Sequence, residues 1–425
     1  MDMLKQTLAK NQIELKQHQV DAAEWMLNIE QNLAPYGGIL ADDMGLGKTL
    51  EALSITVSNP VDHTLIIVPS SVLEQWVTEI YKFLGDTFVT IDYPSKLKKG
   101  ITLTTYHKAA TYPSIQNNEW GRVILDEGHL IRNRKTKTFK GLCRIKTKHK
   151  WILSGTPIQN SLNDLKTLLT FVGFEKVLDL NDEYLEKVVK THVMRRTKTG
   201  VEIKMPGLKI IKHYIEFESE YEKKQYGDET FGLKLASHNL NYVIVKYLRQ
   251  RQYTLLPKMV LDSYAGAMDE TPKLIPKNYK LDKVVETIVK NKDTEKPIVF
   301  CHFKKEMRYL QDKLEENGLK AEIINGDVSK SDRTAIIARH RKYDVLLIQL
   351  MAGSVGLNLQ MFNCVIFTAP HWNPTHERQA VCRAYRLGQK RDVIVRRFAF
   401  KDTIESEILS RQKLKKKIMT DYNML

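Results

Sequence analysis

A glycine-rich turn near the N-terminus carries residue types that suit the phosphates of a nucleotide. Residues 42–49 (DDMGLGKT) follow a short apolar run, and a helical pattern starts at Lys48. Gly45 and Gly47 let the backbone approach a phosphate without a Cβ clash, and the N–H groups at a helix start attract anions. Lys48 can then reach the β- and γ-phosphates, while Thr49 ligates Mg²⁺. The segment therefore predicts ATP and Mg²⁺ as cofactors.

An acidic pair follows a second apolar run farther along the chain. Asp126 and Glu127 come directly after residues 123–125, which predict a strand. A carboxylate at the end of a strand beside the glycine-rich turn can hold Mg²⁺, and the next carboxylate can deprotonate an attacking water. We therefore expect Asp126 to bind the metal and Glu127 to act as the base. Acidic pairs commonly end strands, so this assignment depends on the preceding turn.

Two further segments are candidates for contact with the same nucleotide. Residues 154–157 (SGTP) form either a turn before a helix or a contact that senses loss of the γ-phosphate. Arg383 and Arg386 are three residues apart, so on a helix they would share one face. Two guanidinium groups on one face suit a triphosphate, although a surface pair that meets acidic neighbours is the alternative.

The elements that must position these residues form two groups along the chain. Residues 1–170 and 281–402 alternate short β-branched runs with amphipathic stretches, which indicates parallel sheets covered by helices on both faces. Residues 171–280 carry few such runs and predict a largely helical insertion and linker, and 403–425 predict a C-terminal helix and tail. The predicted strands lie at 38–41, 65–68, 88–91, 101–104, 123–125, 151–153, 297–300, 321–324, 345–348, 364–367 and 393–398. The fold class is therefore α/β with two lobes.

Composition excludes several classes of protein. Of the 425 residues, 42% are hydrophobic and 27% are charged, which is typical of a globular chain. There is no apolar run of about 18 residues and no export pattern at the N-terminus, so we expect an intracellular protein without a membrane partner. The four cysteines show neither C-x-x-C spacing nor zinc-ligand spacing, which predicts reduced thiols and no zinc.

The charge of the chain favours a polyanionic partner. Lys and Arg number 66 against 50 Asp and Glu, which gives a net charge of +16. A solvated basic surface would explain this excess, and a polyanion such as nucleic acid, which the sequence pI of about 9.4 favours, is the other explanation.

Taken in order, these segments resemble the motifs of the Swi/Snf family of helicase-like ATPases in helicase superfamily two. In that family Asp42 is an ordinary replacement for the first glycine of the general phosphate-binding pattern. The resemblance implies two RecA-like lobes, with a mostly parallel sheet in each, that close on one ATP. The matching segments are 15–19 (Q motif), 42–49 (motif I), 68–70 (Ia), 104–106 (Ib), 126–129 (II), 153–160 (III), 194–198 with 205–206, 353–359 (V) and 372–389 (VI with its flanks).

The resemblance also implies roles for individual residues. Gln19 would bind the adenine, Gln379 would join the ATP site, and Arg383 and Arg386 would act on the triphosphate from the second lobe. Double-stranded DNA is the implied partner, with chromatin or transcription proteins as further ones. The implied DNA contacts are Pro69, Ser70, Thr104, Thr105, Ser354 and Trp372.

Two segments indicate a branch of the family, and two positions differ from the usual family pattern. Residues 122–129 and 372–374 resemble the repair and transcription-termination branches of the family more than its nucleosome-sliding members. Several relatives in those branches carry a RING finger, for which this chain has too few cysteines. Residues 349–351 replace the usual Ser or Thr, and Ser354 replaces a common glycine, so coupling to DNA can differ in detail. We expect a bare motor without bromo-, chromo- or zinc modules, of a kind that would suit a large DNA virus.

The predicted function is ATP-driven translocation along double-stranded DNA, without strand separation, in transcription regulation, repair or remodelling. A strand-separating helicase, an RNA-directed motor and a non-catalytic DNA-bound transcription regulator that retains the fold are the alternatives. The expected location is intracellular, and nuclear in a eukaryote or in a virus of a eukaryotic host.

Overall fold

The computed structural model divides the chain into two compact units. The first unit is Met1–Lys204 with Lys415–Leu425, and the second is Met205–Leu414. Among the described residues, each unit contains one sheet in which every strand pair is parallel. This architecture confirms the α/β class with two RecA-like lobes. The structure describes residues 2–85, 89–91, 99–179, 182–198, 200–201, 205–227, 241–261, 277–353, 357–386 and 388–421.

The first unit is built on a sheet that has seven strands within the described residues, in the order β3-β4-β2-β5-β6-β1-β7. Its strands are β1 (Gly37–Leu40), β2 (His63–Val68), β3 (Val89–Ile91), β4 (Gly100–Thr105), β5 (Glu119–Asp126), β6 (Lys146–Leu153) and β7 (Val193–Met194). Its α-helices are α1 (Asp2–Lys10), α2 (Gln17–Asn32), α3 (Lys48–Ser58), α4 (Leu73–Leu84), α5 (Tyr106–Thr111), α6 (Pro113–Gln116), α7 (Lys137–Cys143), α8 (Leu162–Val172) and α9 (Asp182–His192). Short 3-10 helices lie at Gly128–Ile131 and Glu175–Leu178.

Strand register brings the carboxyl ends of three neighbouring strands to one level. Leu40 pairs with Leu153, and Leu153 pairs with Asp126, so β1, β6 and β5 end side by side. The segments that follow these strands therefore leave the same edge of the sheet, where ligands of open parallel sheets bind.

Both faces of this sheet are buried, which explains the continuous apolar runs in the sequence. Along β5, Val123 and Leu125 pack into one hydrophobic cluster and Ile124 into another. Alternate side chains of a strand point to opposite faces, so a strand covered on both sides needs an apolar residue at every position.

The second unit contains a sheet whose described strands number six, in the order β10-β11-β9-β12-β13-β8. Its strands are β8 (Leu208–Ile215), β9 (Pro297–Cys301), β10 (Ala321–Ile324), β11 (Val345–Gln349), β12 (Cys364–Phe367) and β13 (Val393–Phe400). Its α-helices are α10 (Glu220–Gly227), α11 (Asn241–Leu255), α12 (Lys258–Leu261), α13 (Tyr279–Lys290), α14 (Lys304–Glu316), α15 (Lys330–Ala338), α16 (Leu350–Gly353), α17 (Pro374–Ala384) and the first part of α18 (Ile404–Asp421). From Lys415 onward, α18 is counted with the first unit. A 3-10 helix lies at His340–Lys342.

The division between the units differs from the predicted domain bounds. The segment expected to be a helical insertion, 171–280, is shared between the two units and contributes β7 to one sheet and β8 to the other. The sequence pattern missed β8 because Lys209, Lys212 and His213 interrupt its apolar residues. Such a mixture is typical of an edge strand, and most of its side chains are indeed partly or fully exposed.

No helix in the described part of the chain is long and apolar enough to span a membrane. Of the strand predicted at 88–91, residue 88 lies outside the described residues.

Candidate functional site

The glycine-rich turn joins β1 to α3 and has the backbone that the sequence predicts. Gly45 and Gly47 have φ of 89° and 100°, a left-handed conformation that favours glycine. A Cβ on Gly47 would lie 2.2 Å from Gln19 Nε2, so a larger residue would displace the Gln19 amide from the turn. Lys48 Nζ donates to the main-chain oxygens of Asp42 (2.7 Å) and Asp43 (3.3 Å). The lysine is therefore held over the turn by neutral partners, and it makes no ion pair with any described residue.

The residues around this turn fit a triphosphate with Mg²⁺. The turn opens directly into the first N–H groups of α3, where an anion is favoured. Thr49 in that first turn and Asp126 at the end of β5 offer the hydroxyl and carboxylate oxygens that Mg²⁺ prefers. Burial raises the pKa of Asp126, and the positive charge of Lys48 opposes this rise. The lysine therefore lies within electrostatic range of the Asp126 carboxylate.

Side chains at the start of α2 hold the turn from the other side. Gln19 Nε2 donates to the main-chain oxygen of Leu46 (3.1 Å), and His18 Nε2 lies 2.9 Å from the same oxygen. Gln19 Oε1 accepts from the Lys16 N–H (3.0 Å), which fixes the amide. The Q-motif glutamine thus contacts the phosphate-binding turn itself, while its predicted contact with adenine stays a prediction.

Asp126 is held by three hydrogen bonds, two of which come from aromatic side chains. Its carboxylate accepts from Trp76 Nε1 (2.7 Å) and from the Glu127 N–H (3.0 Å). Its main-chain oxygen accepts from Tyr106 Oη (2.6 Å). Burial and the charge of Glu127 raise the pKa of Asp126 to about 6, against the opposing effect of Trp76. Sequence analysis missed both aromatic partners.

Glu127 occupies a constrained backbone position. Its φ is 52°, which is uncommon for a residue with a Cβ and is a form of strain often found at functional sites. A Cβ on Gly128 would lie 2.4 Å from Ile152 Cγ2, so the turn after β5 is pressed against β6. Glu127 Oε2 lies 3.2 Å from His129 Nδ1, and Ser154 Oγ lies 3.4 Å from the same nitrogen.

The segment at 154–157 lies next to the acidic pair and to the end of β1. His129 connects it to the acidic pair, and Ser154 donates its N–H to the main-chain oxygen of Leu40 (3.1 Å). Thr156 is buried, and its hydroxyl has no hydrogen-bond partner among the described residues. A buried hydroxyl without a partner suits contact with a group that binds at this edge.

Two arginines explain why aspartates stand in the phosphate-binding turn. Asp42 is fully buried, and both Arg196 Nε (2.9 Å) and Arg196 Nη2 donate to its carboxylate. Arg196 also pairs with Glu51 (2.9 Å), and Arg195 pairs with Asp43 (2.6 Å). Burial and the charge of Asp42 raise the pKa of Glu51 to about 8. The segment after β7 thus neutralises an acidic cluster at the turn, a contact that spans more than 140 positions and that sequence spacing alone does not show.

In the second unit the two candidate arginines do not share a helix face, which corrects the prediction. Arg383 lies in the last turn of α17, but the helix ends at Ala384 and Arg386 lies beyond it. Gln389 Nε2 donates to the main-chain oxygen of Ala384 (3.1 Å), and Gly388 has a φ of 94°, so the chain turns away. Gln379 is buried on the same helix.

The residues of the first unit that are predicted to contact DNA differ in their exposure to solvent. Pro69 and Ser70 precede α4, and Ser70 is exposed. Thr105 ends β4 and is half-buried. The side chain of Thr104 is fully buried, because β4 lies between β3 and β2 with both faces covered. Thr104 therefore does not offer its side chain to DNA on the surface, and its predicted contact with DNA stays a prediction.

Of the predicted contacts in the second unit, Trp372 is half-buried between two side chains. The Arg411 guanidinium lies 5.3 Å from its ring centroid, and the Tyr247 ring lies 5.8 Å away. Ser354 lies outside the described residues.

Comparison with protein families gives two matches that together span most of the chain. A family model described as the SNF2-related domain matches residues 18–261, which is more than half of the chain. A model described as the helicase conserved C-terminal domain matches residues 279–388.

Individual relatives are similar along nearly the full chain. A probable global transactivator of Orgyia pseudotsugata multicapsid polyhedrosis virus is 28% identical over 92% of this chain and 87% of its own length. A putative ATP-dependent helicase/translocase of Bacillus subtilis, YwqA, is 28% identical over 97% of this chain, which spans only 49% of that protein. The solved SWI2/SNF2 ATPase core of Sulfolobus solfataricus, in complex with dsDNA, has a TM-score of 0.45 and 24% identity, with 97% of this chain and 94% of that chain covered.

Proposed function

The chain belongs to the SNF2-related family of helicase-like ATPases, and on that premise we propose that it couples ATP hydrolysis to movement along double-stranded DNA. One observation supports this most directly. The phosphate-binding turn, the acidic pair and the Ser154 segment follow three neighbouring strands whose last residues, Leu40, Asp126 and Leu153, are in register. The segments that carry Lys48, Asp126 and Glu127 therefore leave one edge of one sheet, which supports the roles proposed for these residues.

In this proposal the described residues bind the triphosphate and orient a water. ATP would supply the phosphoanhydride bond that is broken, and Mg²⁺ would neutralise the charge of the phosphate oxygens. Lys48 and the first N–H groups of α3 bind phosphate, while Thr49 and Asp126 hold the metal. The carboxylate of Glu127 accepts the proton of the attacking water. Arg383 and Arg386 are proposed to act on the triphosphate, as the family resemblance implies.

The net charge of +16 supports DNA as the partner. Contacts to phosphates do not depend on sequence, which suits a protein that must step along any duplex. We also propose that the process is transcription regulation, with chromatin or transcription proteins as partners, because a relative covered over 87% of its length is named a global transactivator. It would then act inside the cell, and in the nucleus of a eukaryotic host.

The proposal is tested by measuring ATP hydrolysis with no nucleic acid, single-stranded DNA, duplex DNA and duplex RNA. We expect the largest stimulation with duplex DNA, and no hydrolysis by Lys48→Ala or Arg386→Ala with any of them. Equal stimulation by duplex RNA would instead support an RNA-directed motor.

Movement is tested separately from hydrolysis. A translocase displaces the third strand of a triplex in the presence of ATP but does not open a forked duplex. Unwinding of the fork would support the strand-separating alternative. Failure of the wild-type chain to hydrolyse ATP under all conditions would leave a DNA-bound regulator as the better interpretation.

A further inference from the structure

Two aromatic side chains from separate helices converge on Asp126. Trp76 from α4 donates to its carboxylate over 2.7 Å, and Tyr106 from the start of α5 donates to its main-chain oxygen over 2.6 Å. Both aromatic residues are buried, with 2% and 8% of their surface exposed. Neither belongs to the residues that bind the phosphates or the metal, yet together they fix Asp126 at its side chain and its backbone.

Each of these aromatic residues is joined to a segment that resembles a DNA-binding motif. The Val72 N–H donates to the Pro69 main-chain oxygen (3.1 Å), and the Trp76 N–H donates to the Val72 main-chain oxygen (3.0 Å). Trp76 is thus linked to the segment around Pro69 through two backbone hydrogen bonds. Tyr106 directly follows Thr105, the last residue of β4.

The packing around these links is tight enough to transmit a small displacement. Trp76 packs in the hydrophobic cluster on one face of the sheet and Tyr106 in the cluster on the other. Closely packed side chains transmit strain because they cannot deform independently. A shift of α4 or of the β4–α5 junction would therefore change the hydrogen bonds to Asp126 and the orientation of the adjacent Glu127.

We propose that Trp76 and Tyr106 are positioning residues that couple DNA binding at the Pro69–Ser70 segment and at Thr105 to the Asp126–Glu127 pair. They thereby determine how strongly duplex DNA stimulates ATP hydrolysis. This inference rests on the proposed function, since it needs duplex DNA as the partner. Coupling between two binding sites is reciprocal, so if duplex DNA changes the affinity for nucleotide, nucleotide bound at the turn changes the affinity for DNA by the same factor.

The test uses Trp76→Phe and Tyr106→Phe in the full chain. Tyr106→Phe removes a single oxygen, so it keeps the test decisive even if the tryptophan variant folds poorly. Two quantities are measured for each protein. One is the ratio of DNA-stimulated to basal ATPase rate, and the other is the Kd for a labelled duplex, by fluorescence anisotropy, with and without a non-hydrolysable ATP analogue and Mg²⁺.

We expect each variant to lower the stimulation ratio by about fivefold or more, in the range of ordinary coupling between sites. The effect of the ATP analogue on the duplex Kd should shrink by a similar factor. A merely structural role would lower the melting temperature and leave both ratios unchanged.

Matched controls are available in the same chain. Trp120 Nε1 donates to the main-chain oxygen of Ile115 (2.9 Å), and Tyr343 Oη donates to that of Ile336 (3.2 Å), and both residues are buried. Trp120→Phe and Tyr343→Phe each lose a hydrogen bond to a main-chain oxygen without touching Asp126, so they should keep the wild-type ratios.

Wild-type ratios in Trp76→Phe and Tyr106→Phe, or an equal loss in the control variants, would overturn the coupling inference while the proposed function stands. A wild-type chain whose ATPase does not respond to duplex DNA would overturn both.

Discussion

At the scale of single residues, the candidate site places the carboxylate of Asp126 where ionisation is costly. Asp126 and Glu127 are adjacent, and burial together with the charge of Glu127 raises the pKa of Asp126 to about 6. The ordinary pKa of this carboxyl group is 3.8. Because the pKa is higher in the folded chain, ionisation of the group lowers the free energy of unfolding. The ionised form of Asp126, which would bind a metal ion, therefore destabilises the metal-free protein.

Glu127→Gln should separate stability from activity. The change removes the charge that raises the pKa of Asp126, so the melting temperature should rise at about pH 7.5, where Asp126 is ionised, and the gain should shrink at about pH 5. ATP turnover should fall by about 10²- to 10⁴-fold, because the base is lost. Thermal melting at the two pH values, a nucleotide titration and an ATPase assay check this. Near-normal turnover would contradict the assignment of Glu127 as the base.

The arginine that neutralises the acidic cluster at the turn should matter more than a surface ion pair. Arg196→Ala leaves Asp42 and Glu51 without their shared partner in a buried setting, and such losses cost about 3–5 kcal/mol. Lys99→Ala, which breaks the exposed pair with Asp62 in the same unit, should cost less than about 1 kcal/mol. Denaturant unfolding of both variants measures the difference. Equal stabilities would show that Asp42 does not carry a charge that depends on Arg196.

At the scale of elements, one buried amide determines where α17 ends. Gln389 Nε2 donates to the main-chain oxygens of Ala384 (3.1 Å), Gln360 (3.0 Å) and Phe362 (3.0 Å). Its Oε1 accepts from the next two backbone N–H groups along the chain. One side chain thus holds the end of α17, the loop before β12 and the segment before β13, and the position of Arg386 depends on it.

Gln389→Ala should therefore affect both the second unit and the reaction. Several backbone groups lose a partner, so the variant should be less stable by about 1–3 kcal/mol. DNA-stimulated ATPase should fall because Arg386 is no longer held. Lys313→Ala, which removes an exposed ion pair with Glu316 in the same unit, is the control and should change neither quantity. Unchanged ATPase in a destabilised Gln389→Ala variant would argue against a role for Arg386.

At the scale of the whole molecule, the excess of positive charge governs association rather than fold. The net charge of +16 is a property of the entire chain and provides long-range attraction to a polyanion. Neutralising DNA phosphates releases counterions, so the affinity must fall as salt increases.

The Kd for a duplex should rise steeply with salt and should not depend on sequence. If the protein contacts six to ten phosphates, affinity falls by about 10³- to 10⁵-fold between about 50 and 200 mM salt. Anisotropy titrations with two unrelated duplexes across a salt series measure both properties. A flat salt dependence, or a strong preference for one duplex, would point to recognition of base edges instead.

Sequence by itself determined the features that depend on neighbours along the chain. Glycine spacing predicted the turn at Gly45 and Gly47, and apolar runs predicted almost every strand of both sheets, because local backbone preferences and two-sided burial act over a few residues. The order of the motifs was enough to indicate the family and the nucleotide site.

Tertiary structure decided the contacts between residues far apart in sequence. Asp126 meets Trp76 across 50 positions, and Asp42 meets Arg196 across 154. The burial of Thr104 and the departure of Arg386 from α17 likewise depend on which strands are neighbours and on the reach of Gln389. Such contacts depend on packing and strand order, and spacing along the chain does not encode the distance between elements that meet only after folding.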